Sequence, residues 1–189
     1  GEGTVDSAGR LITPKIPVRE TWEAMEALVR DGLVKAVGVA NFTGPMILDL
    51  LSYANMKPAV NQIELHPYNQ QSKLVTFCQN QGIAITAYSP LGTPGTIKNR
   101  TNEPVVLQDT VIKEIAQRHQ KTPAQVLIRW AIERRTDVIP KSTTPENINS
   151  NAAVFDFKLT LKDQEEIAAL ERRHRFVNPF GWWGVPYFD

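Results

Sequence analysis

Short runs of small and β-branched residues alternate along this chain with runs of helical period, and that rhythm limits the fold more than any other feature. Residues 35–40, 59–64 and 83–88 read as strands, and Val138 with Ile139 reads as the end of a fourth, buried one. Between them, apolar residues recur at helical spacing: Trp22, Met25, Leu28 and Val29 first, then Ile47, Leu50, Leu51 and Ala54. Leu74, Phe77 and Cys78 mark the next helix, and Gly32 and Gly82 close two of them. A loop from Ser89 to about Val106 breaks the rhythm before two further helices. One carries Leu107, Val111, Ile112 and Ile115; the other is opened by Thr122-Pro123 and carries Val126, Leu127, Trp130 and Ala131. Thr160 with Asp163 forms a capping-box start for a last helix with Ile167 and Leu170.

Strand, helix, strand with short links means parallel strands joined by right-handed crossovers. The strands lack the alternation of a one-sided sheet, so both faces are expected to be covered. A doubly wound sheet and a (β/α) barrel both satisfy this. Two details favour the barrel. No Gly-x-Gly-x-x-Gly follows any strand, and polar residues stand near the C-terminal end of each: Asn41, Gln62 with Glu64, Tyr88 with Ser89, and Lys141 with Ser142. The expected organisation is a loop over 1–17, strand–helix repeats over 18–171, and an aromatic-rich tail over 172–189.

Charge and composition exclude several classes. Lys plus Arg is 21 and Asp plus Glu is 20, so nothing favours nucleic acid or an acidic membrane. No apolar run approaches the roughly 20 residues of a membrane span, and the first residues carry no signal-peptide pattern. Cys78, the only cysteine, excludes an internal disulfide and a cysteine zinc cage. A soluble cytoplasmic protein without a metal is the expectation.

Two places offer chemistry. Lys141 leaves the fourth strand into Ser142-Thr143-Thr144, with Thr144 as N-cap and Pro145 opening a helix. A lysine, hydroxyls and free helix N–H groups within one turn suit a phosphate, although a plain capped helix has the same residues. At the other strand ends, Asn41 and Gln62 are amides suited to orienting a polar ligand. Tyr88 offers a face for stacking or a cover for the core. No acid–base set assembles: His66 is a lone histidine, His119 and His174 are placed on helix surfaces, and Cys78 lies on an apolar face.

Four ordered motifs then carry a resemblance. Gly38-Val39-Ala40-Asn41-Phe42, Asn61-Gln62-Ile63-Glu64-Leu65-His66-Pro67-Tyr68, Ala87-Tyr88-Ser89-Pro90-Leu91-Gly92 and Ile139-Pro140-Lys141-Ser142 resemble the aldo-keto reductases. The tail resembles aldose-type and hexose-phosphate-reducing members. The resemblance implies a (β/α)8 TIM barrel of which this chain carries the second half, strands five to eight with their helices and the C-terminal substrate loop. It further implies NADP(H)-dependent reduction of aldehydes or sugar-type carbonyls by direct hydride transfer. Carried over by position, Asn41 and Gln62 hold the nicotinamide carboxamide, and Tyr88 stacks on its ring. Ser89, Leu91 and Thr93 line the pyrophosphate. Lys141, Ser142, Thr143 and Thr144 hold the 2′-phosphate, Asn151 the adenine, and Trp182 with Trp183 belong to the substrate loop.

Three departures stand out: Ala40 where the family has serine, Asn147 where it has the adenine-stacking arginine, and Ser150 where it has glutamate. They leave room for NAD(H). No residue matches the family's catalytic set, so the expectation is a C-terminal part that is inactive alone, with the N-terminal half of the barrel and a small carbonyl compound as partners. A non-catalytic cofactor-sensing subunit and a self-associating half-barrel binding module are the other readings.

Overall fold

A computed structural model describes residues 5–7, 9–12, 14–97 and 100–188, with backbone alone at 96, 97, 181 and 182. Four strands, β1 (Val39–Ala40), β2 (Val60–Glu64), β3 (Ala84–Tyr88) and β4 (Asp137–Val138), form one sheet in chain order. All neighbours pair in parallel, in register Ala40, Gln62, Thr86 and Asp137 across the sheet. The helices are α1 (Val18–Arg30), α2 (Gly44–Leu51), α3 (Ser72–Asn80), α4 (Pro94–Ile97), α5 (Thr110–His119), α6 (Pro123–Glu133), α7 (Pro145–Ala152), α8 (Leu161–Ala168) and α9 (Phe180–Trp183). None of them is long and apolar enough to cross a membrane.

The core lies between one face of the sheet and the helices. Ile63, Ile85 and Ala87 meet Cys78 of α3, Ile112 and Ile115 of α5, and Leu127 and Trp130 of α6. A smaller cluster joins Trp22, Val37 and Leu50. The other face is different. Gln62, Thr86 and Tyr88 are only half-buried there, and Ala40, Ala84 and Asp137 are exposed. The expectation of two covered faces is therefore corrected among the described residues. Small and β-branched residues on the open face, Val60, Ala84 and Thr86, hid the alternation that burial reveals.

Two further expectations change for similar reasons. Ile139 is 48% exposed rather than buried, because β4 has a pairing partner on one side only among the described residues. On α1 the buried positions are Trp22 and Glu26, while Leu28 is exposed. The Glu26 carboxylate accepts the N–H groups of Asn55 at 2.8 Å and Met56 at 2.9 Å, which makes its burial tolerable. β1 is shorter than expected, though the ladder begins at Val37, whose carbonyl accepts Ala59 N–H at 2.9 Å. Glycine is required beside it: a Cβ at Gly38 would stand 2.8 Å from the Val60 carbonyl oxygen.

α8 opens on the capping box expected from Thr160 and Asp163. Asp163, almost fully buried, also takes Arg118 Nη2 at 2.6 Å and lies 2.7 Å from His119 Nε2, tying α8 to the end of α5. Burial alone would raise this carboxyl. Bonds from His119, Thr160 and Arg118 outweigh it and hold the group well below the usual carboxylate range. A depressed folded pKa adds stability above the unfolded value of about 3.9, and that stability is lost as pH falls below it. Asp163→Asn is expected to cost roughly 1–2 kcal/mol at pH 7, the lost charge in its hydrogen bonds, and less at pH 3. Urea unfolding at both pH values checks this; an equal loss at the two would refute it.

Candidate functional site

The strand ends build one continuous rim. Beyond β1 the chain turns at Asn41 with φ 61°, and Asn41 N–H donates to the Gln62 carbonyl at 2.8 Å. The buried amide of Asn61 brackets the next residue, donating to Phe42 O at 2.8 Å and accepting Phe42 N–H at 3.3 Å. Tyr88, at the end of β3, donates its hydroxyl to Asn41 Oδ1 at 2.9 Å. The structure thus brings Asn41, Gln62 and Tyr88 to one corner of the open face. Burial pushes the Tyr88 phenol up to about 12, with the nearby Glu64 charge adding to the shift and Arg175 opposing it. That hydroxyl is fixed and reluctant to ionise.

The loop after β3 keeps two non-glycine residues in left-handed conformation, Ser89 at φ 51° and Thr93 at φ 49°. Such backbone costs about 1 kcal/mol or more per residue and persists where the surroundings impose it. Ser89, Leu91 and Thr93 face Lys141, Ser142 and Thr143 across a cleft of about 570 Å³. Thr93 Oγ1 is buried there without a partner among the described residues. A second cleft, about 400 Å³, shares Pro140, Lys141 and Ser142 and continues to Ile148, Asn151 and Phe155. A third, about 120 Å³, joins Ala40, Asn41 and Tyr88 to Val177, Pro179, Trp183, Tyr187 and Phe188 of the tail. The first two share residues 140–142, and the third is separated from the first by the single step from Tyr88 to Ser89.

The turn from Lys141 into α7 is arranged partly as its sequence suggests. Thr144 is the N-cap of α7 and Pro145 opens the helix. Thr144 makes no side-chain cap bond, however; Ser142 Oγ takes the Thr144 N–H at 3.2 Å instead. Lys141 is exposed. Thr144 and the exposed Asn147 line neither cleft, whereas Asn151 lines the second. Trp183 reaches the small cavity. The side chain of Trp182 lies outside the described residues.

Other candidates resolve into structural roles. Cys78 is fully buried, and burial pushes its thiol up, so it belongs to the core as expected. His119 is half-buried and held by Asp163. His174 sits beyond α8 rather than on a helix, 2.7 Å from Glu103, because α8 ends at Ala168. Among the described residues no group of three or more His, Cys, Asp or Glu could hold a metal. His66 is not alone: Glu64, two residues back on β2, lies 3.0 Å from its Nε2 with both side chains fully buried. The third member of that cluster, Arg175, is 111 residues farther on from Glu64 (175 − 64) and left no local signal.

Comparison with known proteins identifies the family of the chain. The profile of the Aldo/keto reductase family matches residues 11–172. Aldo-keto reductase family 1 member A1 of Gallus gallus is 45% identical over 161 residues, covering 85% of this chain and 49% of that protein. The NAD(P)H-dependent D-xylose reductase I,II of Candida tropicalis is 46% identical over 177 residues, 92% of this chain and 55% of its own length. The solved aldose reductase of Giardia lamblia superposes with a TM-score of 0.90 at 39% identity, covering 99% of this chain and 62% of its own. That of Schistosoma japonicum gives 0.87 at 37% identity, over 98% and 58%. The chain spans about half the length of the curated relatives it matches.

Proposed function

The chain belongs to the aldo/keto reductase family, and on that premise we propose that its four strands are the second half of a (β/α)8 barrel and carry the cofactor groove of an NADP(H)-dependent carbonyl reductase. The open sheet face supports the half-barrel, since a closed barrel would cover Gln62, Thr86 and Tyr88 with a facing layer of side chains. One observation carries the cofactor: Lys141 and two hydroxyls share a cleft with the Ser89–Thr93 loop, and Ser89 directly follows Tyr88, which lines the Asn41 corner. The buried hydroxyl of Thr93, without a partner among the described residues, fits a cleft built for a polar occupant.

The bound nicotinamide would supply a hydride to the carbonyl carbon. Asn41 and Gln62 would orient the nicotinamide amide, and Tyr88 would offer its ring face while its hydroxyl stays on Asn41. Lys141, Ser142 and Thr143 would bind phosphate, and Asn151 the adenine. The substrate class, aldehydes or sugar-type carbonyls, would enter under the tail at Trp183. Titration of the intact protein with NADPH, followed by tryptophan fluorescence, tests the proposal; absence of saturable quenching would overturn it.

Asn147 leaves the start of α7 without the guanidinium that relatives of this type carry there by resemblance. Asn147→Arg is expected to raise the ratio of NADPH to NADH affinity, by roughly 10-fold for one added charge-assisted bond. An unchanged ratio in the same titration would place the phosphate elsewhere.

A further inference from the structure

We propose that Glu64 is a positioning residue that latches the C-terminal tail over the rim and so shapes the carbonyl-binding end of the groove; the substrate part of this rests on the reductase reading above. Glu64 ends β2 and is fully buried, and both carboxylate oxygens face the tail. Oε1 accepts Phe176 N–H at 2.7 Å and lies 3.0 Å from His66 Nε2. Oε2 accepts Val177 N–H at 3.3 Å and has Arg175 Nη1 at 3.8 Å.

A buried carboxylate is costly unless it is paired and hydrogen-bonded, and here most of its partners belong to one segment. The neighbouring contacts reinforce the same segment. Phe176 is 2% exposed and packs against the His66 ring at 4.8 Å. Arg175 donates to Gln71 Oε1 at 3.1 Å, while Gln71 Nε2 donates to the Glu64 carbonyl at 2.7 Å. Beyond this anchor the tail arches over Ala40, Asn41 and Tyr88, and Phe188 returns to stack under the Arg175 guanidinium at 3.6 Å. The roof of the 120 Å³ cavity therefore hangs from two successive N–H groups on one carboxylate.

Glu64→Ala and the isosteric Glu64→Gln, compared in the intact protein, test this. Hydrogen–deuterium exchange of the Phe176 and Val177 amides is expected to accelerate about 10- to 100-fold in Glu64→Ala, as for loss of charge-assisted bonds, and less in Glu64→Gln. Amides within β3 should keep wild-type protection. In turnover, KM for the carbonyl substrate should rise while KM for NADPH holds, with partial rescue by Gln. Unchanged tail amides, or tail and β3 loosening together, would overturn the latch; Glu64→Gln decides the matter if the alanine form does not fold. If no form turns over, the wild type included, the reductase reading fails while the exchange result still judges the latch.

Discussion

Residues 1–189 expressed alone are expected to show no NADPH-dependent reduction of aldehydes. Hydride delivery to a carbonyl leaves an oxyanion that needs a proton, and a positioned acid contributes about 10²- to 10⁴-fold. Among the described residues the candidate acids at the rim are engaged otherwise, and Tyr187, which lines the small cavity, donates its hydroxyl to Met46 Sδ at 3.6 Å. Tyr88 donates its hydroxyl to Asn41 and is pushed up to about 12. His66 is fully buried on Glu64. The sheet adds a second reason. Its open face bears Gln62, Thr86 and Tyr88, and β1 and β4 each lack a neighbour on one side among the described residues. The isolated chain should therefore dimerise or aggregate through this face. Light scattering and an aldehyde assay check both points; a 21.2 kDa monomer with measurable turnover would refute them together.

Lys141→Ala in the intact protein should weaken NADPH about ten- to a hundredfold, the loss of one charge-assisted phosphate bond of roughly 1.5–3 kcal/mol. Lys141 is the one cation lining the cleft it shares with Ser142 and Thr143, among the described residues. Asn147 supplies no second charge at the start of α7. NADH, lacking the 2′-phosphate, should bind almost as before. Parallel fluorescence titrations separate the cases, and equal losses for both cofactors would remove Lys141 from the phosphate. Because Lys141 is exposed, the effect should shrink as salt rises.

What could be read from the sequence was local. The β-branched runs and helical spacings gave β2 and β3 within one residue, and Thr122-Pro123 and Thr160 with Asp163 marked helix starts that carry full capping boxes. Such signals act over three or four residues, within the reach of one turn. The meeting of Asn41 with Tyr88 followed from the same regularity, since parallel strands in chain order put their C-terminal ends side by side. The motif resemblance added the family, which the comparisons bear out.

Burial and long-range pairing were decided only by the folded chain. Residue type did not tell that Ile139 would be exposed at an edge, that Glu26 would be buried, or that one sheet face would stay open, because exposure depends on which element packs alongside. His119 gained Asp163 across 44 residues and Glu64 gained Phe176 across 112. Nothing in the spacing of those residues encodes such pairs. They form because the ends of separate helices and strands converge in space, and a buried carboxylate is stable only where that convergence brings it donors.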